Sequence, residues 1–227
     1  RMANHLDLEE QEQLDQRKHF WATWGTLISS ILLLVAGSLA AWNGYQYWQT
    51  RQATQATALF DAVGAAATAG DEVRLEQAFG DMRSQYAGTH QAGQAGLLVA
   101  KTYVGKGNLD AAKAALLWVA DHAGDEGYKS LARLRLAGIL MDQKAYDEAL
   151  KQLASPFAPE YAAVVADRKG DVLVMQGKKQ EAIAEYSLAY KNIPESVEYR
   201  RLIEVKLNAL GVQPQAVAVA ATPEGVK

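Results

Sequence analysis

The ten residues GDVLVMQGKK, Gly170 to Lys179, are the stretch most suggestive of chemistry. Two glycines and a lysine pair after an apolar run resemble a loop that cradles phosphate on bare backbone N–H groups. Such a loop follows a strand, spaces its glycines by four residues and ends in Lys then Ser or Thr, whose hydroxyl holds magnesium. Here six residues separate Gly170 from Gly177, and Lys179 stands where the hydroxyl belongs. GKG at 105–107 has the composition of a turn between helices. The four histidines, His5, His19, His90 and His122, never pair at helical ligand spacing, and the chain has no Cys. A metal site is therefore not expected. Asp125-Glu126 and Asp147-Glu148 fall where helices should start, and a carboxylate there favours the positive end of the helix dipole. No nucleophile elbow occurs. The expectation is a protein without catalytic residues, cofactor or metal.

The elements that would hold such residues are helical. Leu and Ala are abundant and Pro is scarce among the 227 residues, which favours helix over strand. Formal net charge is −3, and after residue 50 basic and acidic residues nearly balance, so no nucleic-acid partner is expected. Arg133, Arg135, Arg200 and Arg201 read as solvated helix faces. Absence of Cys leaves no thiol at risk in an oxidising compartment. Arg1 precedes Met2, and Met2 is the expected natural start.

Phe20 to Thr50 contains no Asp, Glu, Lys or Arg. About 20 apolar residues cross a bilayer core, so one transmembrane helix with its interfacial flanks is expected at 20–48. Trp21 and Trp24 lie at one end and Trp42, Tyr45, Tyr47 and Trp48 at the other, as two membrane–water interfaces favour. A cleaved signal peptide is the rival, since Ser38-Leu39-Ala40 resembles a small-x-small cleavage site. The acid-rich stretch before the apolar run and the aromatic character past Ala40 oppose it. Arg17 and Lys18 precede the span and only Arg51 closely follows, which puts segment 1–19 in the cytoplasm and the rest across the membrane. Thr23, Ser30, Gly37 and Gly44 recur every seven residues, flanked by Ala40 and Ala41. Such a stripe of small residues suits close packing against another helix in lipid.

Beyond the span, TAGD at 68–71, GKGNLD at 105–110, AGDEG at 123–127, DQKAYD at 142–147 and MQGKK at 175–179 punctuate consecutive helices. No stretch alternates as a strand does. Ala100, Ala137 and Gly170 are each followed by a large residue three later (Tyr103, Leu140, Leu173) and by Ala112, Ala149 and Ala182 twelve later. These offsets resemble the tetratricopeptide repeat, a helix–turn–helix of 34 residues. The fold class is all-α: one transmembrane helix, then a tetratricopeptide-like solenoid over 49–210. A degenerate first pair is expected at about 53–87. Pro156 should cut one second helix short, a helix at about 196–209 should close the stack at Gly211, and the tail 211–227 should be disordered.

Three blocks extend the likeness: EEQEQLDQRKHFWATWG with GYQYWQTRQ, LARLRLAGILMDQKAYDEALKQL, and YAAVVADRKGDVLVMQGKKQEAIAEY followed by IEVKLNAL. Over nearly all of 5–210 the chain resembles the YfgM-like family, ancillary subunits of the SecYEG translocon in bacterial inner membranes. The resemblance implies a single-pass anchor in the lipid bilayer with periplasmic repeats. As partners it implies the SecYEG translocon, a membrane-anchored periplasmic chaperone of the prolyl-isomerase type and unfolded exported chains. It supplies no catalytic residue. The alternative is a general cell-envelope scaffold of the same repeat type. Pro156 and the tail depart from the family pattern.

In tetratricopeptide repeats the first helix of each pair lines a concave groove. Carried over, that geometry assigns the groove Leu97, Lys101 and Val104; Leu131, Leu134 and Met141; and Val164, Asp167, Asp171, Val174 and Met175. A mostly apolar groove suits an unfolded segment or a partner's helix. It could equally be filled by a helix of the chain itself, about 53–66.

Overall fold

A computed structural model describes the backbone of residues 8–194 and 198–214, and side chains from Lys18 onward within these ranges. Among the described residues every regular element is helical. The chain divides into two compact units, Arg1–Gln52 and Ala53–Lys227. Helix α1 (Leu8–Ala69) contributes to both.

In the first unit the apolar side chains of α1 face outward all round: Leu33, Leu34 and Trp42 are 73%, 71% and 60% exposed. The core of a water-soluble domain would hide such residues. From Lys18 this helix is long and apolar enough to cross a membrane, by length and composition.

The second unit stacks helix pairs. The end of α1 pairs with α2 (Glu72–Gln85), α3 (His90–Gly105) with α4 (Leu109–His122), α5 (Glu126–Asp142) with α6 (Tyr146–Leu153), and α7 (Ala162–Met175) with α8 (Lys179–Asn192). Helix α9 (Tyr199–Ala209) follows. Residues 53–66 are thus half of the first pair: Ala56, Val63 and Ala66 are buried in a core shared with Leu75, Phe79 and Met82 of α2 and Val99 of α3. Gln55 accepts from the Tyr86 hydroxyl at 3.2 Å, and Thr57 accepts from Gln91 at 3.2 Å.

Every pair turns in the same way. Gly70, Gly107, Lys144 and Gly177 have φ between 59° and 76°, and Gly211 ends α9 at 82°. At each, two backbone N–H groups fold back onto the last helical carbonyls. Gly177 N–H donates to Val174 at 2.9 Å and Lys178 N–H to Leu173 at 2.9 Å, for example. This satisfies carbonyls that the ending helix leaves orphaned. Asp71 and Asn108 then cap the next helix with their side chains, whereas Ala145 and Lys178 stand at that position without a side-chain cap. Asp125 also caps: its carboxylate accepts from Tyr128 N–H at 3.0 Å.

Small residues sit where helices cross. A Cβ added to Gly170 would come within 2.4 Å of the Tyr186 ring on α8, and one added to Gly96 within 2.2 Å of Val119 on α4. Helix α6 has only eight residues, and the chain leaves it through Pro156 and a short 3-10 turn, Pro159–Tyr161. Arg133 of α5 reaches into that departure, donating to the Pro156 carbonyl at 2.5 Å and to the Ala120 carbonyl at 3.1 Å. It is half-buried, not the solvated residue its sequence context predicts. Arg200 likewise lies over the Tyr190 ring, 4.1 Å from its centroid, and donates to the Ile193 carbonyl.

Candidate protein-binding site

The groove residues come from the first helices of successive pairs. On α3, Leu97 is buried in the first core, while Lys101 and Val104 are exposed. On α5, Leu131, Leu134 and Met141 are half-buried against the cores below. On α7, Val164 is half-buried, and Val174 and Met175 are 39% and 58% exposed. Asp167 and Asp171 differ from all of these, because α9 closes over them.

Asp167 is 4% exposed, and both its carboxylate oxygens are occupied. One accepts from the Tyr199 hydroxyl and the other from Lys206 Nζ at 2.6 Å. The same ammonium donates to Asp171 at 2.7 Å, and the Tyr186 hydroxyl donates to that carboxylate oxygen at 2.7 Å. Lys206 also lies 5.3 Å from the centroid of the Tyr186 ring. One ammonium is therefore enclosed by two carboxylates and an aromatic face, each of which favours a cation. Burial, the hydrogen bond to Asp171 and the negative charge around it push the Tyr186 phenol far above the usual tyrosine range. Burial, and then Asp167, do the same to Tyr199.

Sequence reasoning placed the two aspartates on one face but did not find Tyr186, Tyr199 or Lys206 as their partners. A signal was present. At the positions of Asp167 and Asp171 the earlier pairs carry Leu97 with Lys101 and Leu134 with Gly138. Only the last pair has an acid there, one turn from a second acid, and only that pair meets α9. Helix α9 thus covers Asp167 and Asp171, while 53–66 shares the first core with Leu97.

A second concavity of about 600 Å³ lies between the end of α1 and α2. Leu59, Ala62, Ala65 and Ala69 form its apolar wall, and Arg74, Gln77 and Asp81 face them.

In the span, Thr23 donates to the His19 carbonyl at 2.9 Å and Ser30 to the Thr26 carbonyl at 2.7 Å. Gly37 and Gly44 have open space where a Cβ would stand, and Ala40 and Ala41 are exposed. The hydroxyls are satisfied within the helix, so the stripe is smooth and presents no unmet hydrogen bond. Among the described residues no cluster of His, Asp and Glu has the makings of a metal site.

Helix pairs joined by identical turns, small residues at the crossings and a closing helix define a helical-repeat scaffold, a class that works by binding proteins. The family described as a tetratricopeptide repeat-like domain matches residues 18–212. A Neisseria gonorrhoeae protein named ancillary SecYEG translocon subunit is 33% identical over 213 residues, covering 92% of this chain and all of the relative. The Escherichia coli protein of the same name is 29% identical over 205 residues, covering 89% of this chain and 97% of its own. That of Haemophilus influenzae is 28% identical over 209 residues. No solved structure matches significantly. The chain belongs to the tetratricopeptide repeat-like family and, within it, to the group of ancillary SecYEG translocon subunits.

Proposed function

We propose that the protein is a non-catalytic accessory subunit of the SecYEG translocon, anchored in the bacterial inner membrane by α1, with its repeats in the periplasm. The observation that carries this reading is the extent of the likeness. Relatives named for the translocon align over the outward-facing apolar segment and the helix pairs together, and not over a repeat array alone. Helical repeats need only surface to bind, which agrees with the structural use of the acids: Asp125 caps a helix, and Asp167 and Asp171 hold a lysine. In this reading the repeats link the translocon to a membrane-anchored chaperone of the prolyl-isomerase type and to emerging unfolded chains. The smooth face of Thr23, Ser30, Gly37, Ala40, Ala41 and Gly44 packs against a partner's helix in lipid. Exposed Lys101, Val104, Val174 and Met175 form the part of the groove open to ligands.

Photo-crosslinking amino acids at Gly37 and Gly44 test this in intact membranes. Crosslinks to a translocon subunit or to the chaperone are the expected result. Their absence from both, with crosslinks to outer-membrane or cell-wall assembly proteins instead, would favour a general envelope scaffold.

A further inference from the structure

We propose that the concavity between the end of α1 and α2 is a docking site for a helix of a partner protein, one that carries an apolar stripe and, two turns apart beside it, an acid and a base. The concavity exists because the first pair is built differently from the rest. Seven residues before and five after each left-handed turn residue, the later pairs have small side chains. They are alanine at all four such places around Gly107 and Lys144, and Gly170 and Ala182 around Gly177. In the first pair those places hold Val63 and Leu75, both buried. The side chains at a crossing set how near two helices come, so this bulk wedges α1 and α2 apart. A gap of about 600 Å³ is the result.

The gap lies at the open end of the stack. On α2, Glu72 and Glu76 accept from Lys106 and Tyr103 of the second pair, while Arg74, Gln77 and Asp81 lie on the opposite face and line the gap. At the far end of the array α9 lies on the last pair and buries Ile203 and Leu207 there. Among the described residues no helix lies on the outer side of the first. A solenoid's end is finished for water when its outer face is polar. Here exposed Ala62, Ala65 and Ala69 form a wall with no side chain long enough to hold a helix off. Across from them Arg74 and Asp81 stand two turns apart, so an entering helix meets a cation at one end and an anion at the other. Among the described residues Asp81 has no ion-pair partner, and Arg74 holds Asp71 at 3.3 Å with donors to spare. This arrangement admits a helix in one direction, with its acid at Arg74 and its base at Asp81. The site is separate from the groove of the first helices and does not rest on the translocon assignment.

The test uses the full chain in amphipol and fluorescein-labelled synthetic peptides as long as α2, 14 residues, read by anisotropy. All carry Leu and Ala at helical spacing. Beside that stripe one peptide has a Glu and a Lys as far apart as Arg74 and Asp81, another has Glu at both places and a third has Lys at both. The mixed peptide is expected to bind at least about three-fold more tightly than either of the others. Asp81→Arg, at an exposed position, is expected to move the preference to the peptide with two Glu. Ala65→Trp, also exposed, fills the gap without touching the core and is expected to weaken the mixed peptide about ten-fold or more. No measurable binding of the mixed peptide, the same order of affinities in wild type and Asp81→Arg, or equal binding to wild type and Ala65→Trp overturns the proposal.

Discussion

At the residue scale, glycines of similar appearance answer to different forces. Gly170 is small because the Tyr186 ring occupies the place of its side chain, whereas Gly138, in mid-helix, has open space there. Gly170→Ala is therefore expected to destabilise by about 1–3 kcal/mol through overpacking. Gly138→Ala is expected to stabilise by about 0.5–1 kcal/mol by removing backbone freedom from the unfolded chain. Urea denaturation of the two variants should move in opposite directions. Lys144 is the converse case, a side chain held at φ 59° where the other helix pairs have glycine. Lys144→Gly is expected to relieve about 1 kcal/mol of that strain, seen as a higher melting temperature. The tyrosines set the alkaline limit. Tyr103, Tyr186 and Tyr199 are all held above the ordinary range, by burial first and then by Glu76, Asp171 and Asp167 respectively. Their phenols stay protonated in the fold after those of the unfolded chain begin to ionise at about pH 10. Their contribution is complete below that pH and falls as pH rises beyond it. Denaturation between pH 9 and 11.5 should show the loss, and the triple Tyr→Phe variant should show a shallower one.

At the element scale, Arg133 joins two departures from regular pairing. It holds the carbonyl of Ala120 near the end of α4 and that of Pro156 beyond α6, so the α5 helix clamps its neighbour on one side and the short helix on the other. Arg133→Ala removes two bonds from a charged donor and is expected to cost about 2–4 kcal/mol, measurable by thermal denaturation. The sequence foretold most of this architecture. The punctuation at TAGD, GKGNLD, DQKAYD and MQGKK coincides with the four turns, because a left-handed turn residue followed by a helix start has few sequence solutions. Pro156 announced the short α6, because it has no N–H to continue a helix and disfavours helical geometry in the residue before it. The lock on α9 was not legible. Asp167 and Lys206 are 39 residues apart, and which solvated-looking charge meets which is decided by packing, to which no local pattern is bound. Arg133 was misread for that reason too: its partners are carbonyls, which every residue has.

At the scale of the whole molecule, a membrane-crossing segment and a solenoid place different demands on one chain. The first exposes Leu and Trp on every side, and the second hides Leu75, Phe79 and Met82 completely enough to keep an array of pairs folded in water. The excess of Arg17 and Lys18 before the span is the ground on which we propose that the solenoid lies across the membrane from segment 1–19. A reporter enzyme active only in the periplasm, fused after Lys227, is expected to be active, and one fused before Phe20 silent; the reverse pattern would invert the topology. The solenoid's two ends also differ. One closes on the ammonium of α9, and the other offers the alanine-walled concavity between α1 and α2.

The left-handed turns have a consequence for how such a chain can be rebuilt. Residues 70, 107, 144, 177 and 211 share one backbone shape and stand 33 to 37 residues apart. Each closes one helix, and the first four hand the chain to the next in the same direction. They are natural splice junctions. Removing 108–144 would join Gly107 to Ala145 as turn to helix start, leaving the chain one cassette shorter and the α7–α9 lock untouched. Copying the same cassette in would lengthen the array by one pair. The length of the array is then a variable that duplication can adjust at four prepared seams.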